Sequence, residues 1–243
     1  MADTSKNTPG EYCTMLDNNP DEASVLFDSL NNGYSEFFRN PLTFAMLEQF
    51  VIPKLVSDNN QENPSEIRIW SAGCAAGQEP YSLALLAHYY KTSHQTNSRF
   101  RIFATDVSEK QIQTARQGIY DLKMIQNTRM GFVNNYFTKT GSNYSIGDQI
   151  KKQVEFSVYD LLQHGSSAPP VSIFGDFDLI MCSNVLFYYR PETRKMILSK
   201  FYRSLKPDGF FITGEAEISI VKNFTAFKQY APPSAIFFKN QTI

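Results

Sequence analysis

The sequence predicts an α/β domain built on a mostly parallel β-sheet with helices on both faces. Three observations carry that expectation. Short apolar runs alternate with helix-like segments from Ile67 to Gly214, the rhythm of a parallel sheet crossed by helices. A loop of small residues, Ser71 to Gly77, separates the first strand from the first helix. Carboxylate and amide side chains then fall at the ends of successive strands, where open α/β sheets bind ligands.

The elements follow in order. Residues 1–24 are polar and rich in Asn, Asp, Thr and Pro, a composition that buries little and orders poorly. Val25 to Val56 reads as helical: Phe37, Phe38, Phe44, Leu47, Phe50 and Val51 recur at three to four residues, and Pro41 suits a helix start. Pro53 and the polar stretch Ser57–Pro64 close this segment, so residues 25–64 are expected to form an N-terminal helical extension packed on a main domain of 65–243. Strand Ile67–Ala72 precedes helix Glu79–Lys91, and strand Arg101–Asp106 precedes helix Glu109–Gln117. An insertion at about 119–147 holds a further helix and a small hairpin around Thr140-Gly141-Ser142-Asn143. Strand Val154–Val158, strand Phe177–Cys182, helix Pro191–Leu205, a turn at Pro207-Asp208-Gly209, strand Phe210–Gly214 and a last β-type run Ala235–Lys239 complete the domain.

The loop after the first strand narrows the ligand. Small residues let the backbone approach closely, and the following helix aims its first N–H groups at whatever sits there. The spacing Gly73-x-x-x-Gly77 is neither G-x-G-x-x-G nor a P-loop, and no Lys follows Gly77. Glu79 stands where a polyphosphate requires positive charge. A nucleoside carrying hydroxyls or a cation fits better. Asp106, ending the second strand, suits a ribose diol. Asp160 after the third strand can accept from an adenine amino group, and Ser183-Asn184 follow the fourth. Each has a plainer reading. Gly73 and Gly77 serve any tight turn, Glu79 suits a helix's first turn, Asp106 can cap a helix before Ser108, Asp160 is a common turn residue, and Cys182 reads as a buried strand residue.

Composition excludes several classes. The net charge is −1 over 243 residues, which gives no general attraction to nucleic acid or anionic lipid. No apolar run approaches the roughly 20 residues of a membrane span, and Met1-Ala2-Asp3-Thr4-Ser5-Lys6 is not a signal peptide. Cys13, Cys74 and Cys182 are scattered, and with His88, His94 and His164 they make no metal-binding spacing. No metal is expected, and the odd cysteine count fits a reducing, cytoplasmic setting.

Several motifs taken together resemble one family. The stretch Trp70-Ser71-Ala72-Gly73-Cys74-Ala75-Ala76-Gly77-Gln78-Glu79-Pro80-Tyr81-Ser82 is followed by Ala104-Thr105-Asp106 and by Ala115-Arg116-Gln117-Gly118-Ile119-Tyr120. Then come Phe177-Asp178-Leu179-Ile180-Met181-Cys182-Ser183-Asn184-Val185-Leu186-Phe187-Tyr188-Tyr189 and Leu205-Lys206-Pro207-Asp208-Gly209, with Ser35-Glu36-Phe37-Phe38-Arg39 upstream. In this order they resemble the chemotaxis receptor methyltransferases, which esterify receptor glutamates with S-adenosylmethionine and release S-adenosylhomocysteine. The resemblance runs from about Gly33 to Glu217. It implies a class I, Rossmann-like methyltransferase fold with a seven-stranded sheet.

It also implies roles. Ser35, Arg39, Gly73, Glu79, Asp106, Asp160, Leu161, Ser183 and Asn184 belong to the cofactor site, and Arg39 and Tyr188 face the transferring methyl and the acceptor carboxylate. The implied acceptor is the cytoplasmic helices of a chemoreceptor. The chain departs from the family in four places. Gly33 takes an asparagine position, Ser183 replaces an arginine, Glu215-Ala216 replaces a His-Ser pair, and only about 32 residues precede the Phe37-Phe38-Arg39 region, where the family carries a longer basic domain. The short Phe137–Ile146 hairpin argues against tethering to a receptor tail peptide. Two alternatives stand beside receptor methylation: a methyltransferase of the same fold acting on another protein or a small molecule, and a non-catalytic module that binds the cofactor in signalling.

Overall fold

The sheet runs in the order β6-β2-β1-β7-β8-β10-β9, with the centre of the fold at β1 (Glu66–Ala72). The structure, a computed structural model, describes residues 8–23, 26, 35–59, 66–163, 168–172 and 175–240. β1 pairs in parallel with β2 (Arg99–Asp106) on one side and β7 (Phe177–Cys182) on the other. β6 (Val154–Val158) extends the sheet beyond β2, and β8 (Leu205–Thr213) extends it beyond β7, both in parallel. β10 (Ile236–Lys239) is antiparallel to β8 and to β9 (Phe227–Gln229). The mostly parallel seven-stranded sheet is therefore present.

The period-two alternation of the strands divides the core. Ile67, Ile69, Ile102, Ala104, Leu179, Met181, Phe210, Ile212 and Ile236 turn to one face. Trp70, Ala72, Phe103, Ile180, Cys182, Phe211 and Phe237 turn to the other. Buried on both faces, Leu179–Cys182 of β7 and Phe210–Ile212 of β8 read as continuous apolar runs. The first face is covered by α4 (Gln78–Ser93), α5 (Glu109–Gln117) and the segment from Phe37 to Val56. The second is covered by α9 (Pro191–Ser204), through Ile197, Leu198 and Phe201.

The N-terminal expectations change in three ways. A helix, α1 (Pro9–Asn18), lies within the first 24 residues, where composition suggested poor order. The Thr8 side chain caps it by accepting from the Glu11 N–H, and Pro9 opens its first turn, local features that favour a helix start. Residues 1–34 make a unit of their own and 35–243 a second. The boundary thus lies near residue 34, because Phe37, Phe44, Leu47, Val51 and Ile52 belong to the main core. Finally, Pro53 does not end the helical segment. α2 (Pro41–Met46) passes through a π-helical turn (Leu47–Val51) into α3 (Ile52–Asp58). Pro53 sits in the first turn of α3, and the Ile52 N–H reaches back to the Leu47 carbonyl. A proline cannot donate, and the wider turn accommodates it without breaking the rod.

The insertion is larger than a hairpin. β4 (Phe137–Thr140) and β5 (Asn143–Ile146) pair antiparallel around the two-residue turn Gly141–Ser142, and Gly141 takes φ +61°. β3 (Ile119–Asp121) adds a third strand to β5. Between β3 and β4 lie α6 (Leu122–Ile125) and α7 (Met130–Tyr136), and α8 (Asp148–Lys151) leads on to β6. β8 also begins earlier than expected, at Leu205. The turn residues Pro207-Asp208-Gly209 form an irregularity in that strand: its register slips between Phe177 and Leu179, and Asp208 takes φ +61°. Such a bulge keeps pairing while absorbing extra residues.

Candidate functional site at the carboxyl edge of the sheet

The chain leaves β1 toward β2 and β6, then returns to its other side at β7 and β8. The carboxyl end of β1 is therefore the switch point where open α/β sheets form a ligand crevice. The loop Gly73–Gly77 occupies it. The Gly73 and Cys74 N–H groups both donate to the Thr105 carbonyl, at 2.8 and 2.9 Å. Gly73 has φ +76°, and a Cβ there would stand 2.6 Å from Val185 Cγ2. Gly77 has φ +92°, and a Cβ would stand 2.9 Å from that of Ala115. Only glycine fits either place. The motif Ala115–Tyr120 has its physical explanation here, since the buried Tyr120 hydroxyl donates to the Ala76 carbonyl at 2.8 Å and holds the loop from behind.

Asp106 does two jobs at the end of β2. Oδ2 accepts from the Ala75 N–H and Oδ1 from the Ser108 N–H, each at 2.9 Å. The plainer capping role assigned to Asp106 is partly correct: it shapes the turn into α5, while Ser108 is the residue that caps the helix, accepting from Gln111. Burial raises the Asp106 pKa, and the backbone donors oppose that shift. The Tyr159 N–H donates to the Asp106 carbonyl at 2.9 Å, which sets Asp160 beside it at the end of β6. Asp160 is exposed, and its Oδ1 accepts from the Leu162 N–H at 2.8 Å, the turn geometry of its plainer reading. Leu161 is buried in the second core cluster.

Glu79, in the first turn of α4, points back at β1. The Ser71 hydroxyl donates to its Oε1 at 2.7 Å. Burial raises its pKa from 4.5 to about 7; Ser71, Ser183 and the charge of Arg39 favour the ionised form, and Glu217 opposes it. Ser183 stands beside Glu79, but its Oγ lacks a hydrogen bond of good geometry, and Asn184 Oδ1 is likewise buried without a partner. Asn184 takes φ +62°, tolerable for Asn and rare for most residues. Gly214 passes so close that a Cβ would lie 3.0 Å from Asn184 N and Nδ2. Cys182 and Cys74 are buried, as expected of Cys182, and no group of His, Cys, Asp and Glu among the described residues makes a metal site.

Arg39 reaches this region on an aromatic anchor. Phe37 is fully buried edge-on against Tyr120 and Phe137, at centroid distances of 4.9 and 5.4 Å. Phe38 takes φ +53°, and its N–H donates to Ser82 Oγ at 3.1 Å. The anchor leaves Arg39 exposed, with its charge felt at Glu79. Ser35 is half-buried four residues earlier. Gly33 lies outside the described residues. Tyr188 ends a 3₁₀ turn (Leu186–Tyr188) after β7 and is 70% exposed, which sets aside its alternative reading as a core aromatic.

Two supporting residues escaped the sequence reading. Lys200, on α9, is buried with its Nζ donating to Tyr159 Oη and to the carbonyls of Leu161 and Gln163, at 3.1, 2.6 and 2.9 Å. It fixes the loop that carries Asp160 and Leu161. Glu217 is fully buried and gathers donors from the ends of β7 and β8. A charged residue on an otherwise amphipathic helix gives no sign of burial. Glu217 leaves no trace either: its side chain accepts from the Gly214 N–H three positions earlier, but Gly214 has no side chain to complete a capping box.

Comparison with known proteins identifies the family. The family described as "CheR methyltransferase, SAM binding domain" matches residues 33–236. A chemotaxis protein methyltransferase of Borreliella burgdorferi is 32% identical over 210 residues, covering 85% of this chain and 72% of that protein. Chemotaxis protein methyltransferase 1 of Pseudomonas aeruginosa is 32% identical over 197 residues, covering 79% and 69%. The chemotaxis protein methyltransferase of Escherichia coli is 30% identical over 215 residues, covering 86% and 69%. With that domain spanning most of its length, the chain belongs to the CheR methyltransferase family and is an S-adenosylmethionine-dependent methyltransferase.

Proposed function

We propose that the chain transfers the methyl group of S-adenosylmethionine to glutamate side chains of a chemoreceptor, forming methyl esters. The observation that carries this reading is the Glu79 carboxylate, held by the Ser71 hydroxyl at the carboxyl edge of the sheet, together with the exposed Arg39 that follows the Phe37–Phe38 anchor. One holds a cation, and the other receives an anion. The relatives are named chemotaxis protein methyltransferases, which supports a chemotaxis protein as the methyl acceptor.

The residues present suit the cofactor. Asp106 receives the ribose hydroxyls, since each of its oxygens keeps a lone pair beyond its backbone bond. Asp160 and Leu161 bracket the adenine. Glu79, Ser183 and Asn184 face the amino-acid end, and Asn184 Oδ1 is a buried polar atom that a ligand rich in hydrogen-bonding groups satisfies. When bound, S-adenosylmethionine supplies an electrophilic methyl on a sulfonium. A glutamate carboxylate is already ionised at neutral pH, so no residue has to remove a proton. Arg39 holds one carboxylate oxygen by a charge-assisted bond and leaves the other free to react. Tyr188 orients the acceptor through its hydroxyl. The chain contributes alignment. The β4–β5 hairpin belongs to a three-stranded sheet with β3, so its length is no argument against a receptor-tail tether.

The test is incubation with methyl-labelled S-adenosylmethionine and receptor-bearing membranes. Label released as methanol in mild alkali is expected. Label that survives alkali would move the acceptor to nitrogen and sink the ester assignment.

Glu79 adds a pH dependence. Its pKa is raised in the folded protein to about 7. Its contribution to stability is therefore present below its ordinary value of 4.5 and is lost as pH rises through about 7. A cationic ligand favours the ionised form, so affinity should rise by up to about tenfold between about pH 6 and pH 8. Calorimetric titration across that range checks it, and Glu79→Gln should flatten the slope. An equal slope in that variant would assign the proton elsewhere.

A further inference from the structure

Glu217 lies outside the set of groups placed against cofactor or acceptor, yet it touches the supports of both. Its carboxylate is fully buried at the start of the short helical segment after β8. Oε2 accepts from the Asn184 N–H at 2.8 Å, from Thr213 Oγ1 at 2.8 Å and from the Gly214 N–H at 3.0 Å. Oε1 accepts from the Phe187 N–H at 3.3 Å. The two oxygens thus serve different segments. Oε2 joins the end of β8 to Asn184 and holds that residue at φ +62°. Oε1 reaches the Leu186–Tyr188 turn alone. From the opposite side, Arg194 donates to the Leu186 carbonyl at 3.0 Å and to the Phe187 carbonyl at 3.2 Å. The turn that presents Tyr188 is therefore fixed through its N–H by Glu217 and through its carbonyls by Arg194.

We propose that Glu217 is a positioning residue that divides its oxygens between two tasks: Oε2 shapes the cofactor side at Asn184, and Oε1 sets the acceptor side at Tyr188. The inference rests on the placement of Asn184 against the cofactor and Tyr188 against the acceptor. Its chemistry is specific to a carboxylate. A glutamine has one acceptor oxygen and one donor NH2. Three donors converge on the Oε2 position, so the amide oxygen goes there. The NH2 then faces the Phe187 N–H, donor against donor, and the turn is released while Asn184 stays held.

Glu217→Gln and Thr213→Val test the division from opposite directions. In Glu217→Gln, amide exchange followed by NMR should speed up at Phe187 and leave Asn184 and Gly214 protected. Affinity for S-adenosylmethionine should stay within about threefold, while kcat for methyl transfer falls on the order of tenfold to 10²-fold, the size of effect a small misplacement produces. Thr213→Val removes one donor to Oε2, and it should weaken cofactor binding while kcat at saturation is kept. Exchange that quickens together at Asn184 and Phe187, or affinity and kcat falling in parallel in both variants, would overturn the division. Tyr188→Phe separates the two ideas: unchanged kcat there, with the exchange pattern as expected, removes Tyr188 from the acceptor side and leaves the two-oxygen clamp standing.

Discussion

Asp106→Ala abolishes measurable S-adenosylmethionine binding in isothermal titration calorimetry. The expected loss has two sources. A ribose diol bound to a carboxylate makes hydrogen bonds to a charged group, about 1.5–3 kcal/mol each, so losing two corresponds to roughly 10²- to 10⁴-fold in affinity. The same carboxylate also accepts from the Ala75 and Ser108 N–H groups, so its removal frees the loop against which the nucleoside lies. Asp106→Asn separates the sources. An amide offers one acceptor oxygen, so only one of the two backbone donors stays satisfied, and affinity should fall between wild type and alanine. Circular dichroism and thermal melting on the same samples check that the sheet remains folded. Unchanged affinity in Asp106→Ala would remove the ribose from the end of β2.

Arg39→Ala leaves cofactor binding nearly intact and removes methyl transfer, with kcat down on the order of 10²-fold. Arg39 is exposed, so it contributes little to stability, and the anchor at Phe37 and Phe38 does not depend on its charge. A small effect on affinity is expected through Glu79, because Arg39 favours the ionised form of that carboxylate. Arg39→Lys keeps the charge but loses the planar fork, and it should recover part of the rate. Single-turnover kinetics with saturating cofactor gives the measurement. A fully active alanine variant would exclude Arg39 from holding the acceptor carboxylate.

The parts of the fold legible in the sequence are those with a local physical signature. Helix Glu109–Gln117 and strands Val154–Val158 and Phe177–Cys182 have their expected bounds, because Ser108 caps the helix, Val154 and Phe156 alternate inward on an edge strand, and Leu179–Cys182 is an apolar run buried on both faces. The errors have a common source as well. Pro53 reads as a stop, but the π-helical turn before it absorbs the missing donor. The Pro207-Asp208-Gly209 turn reads as a break, but pairing with β7 carries the strand through it. β3 is three residues long and exists because β5 lies beside it. Tertiary pairing supplies in each case what local propensity lacks.

The site divides in the same way. The sheet, the glycine loop with Glu79 in the helix turn after it, and the strand-end residues Asp106, Asp160 and Asn184 are legible in the chain, because a parallel strand has to deliver the residues that follow it to the carboxyl edge. Which side chains hold those residues in place follows from long-range packing alone. Glu217 serves Asn184 and Phe187 from 33 and 30 residues away, and Lys200 holds the Asp160 loop from 39. Charges buried this deeply persist because the folded chain surrounds them with donors and acceptors, and those partners meet only after the sheet has brought distant segments together.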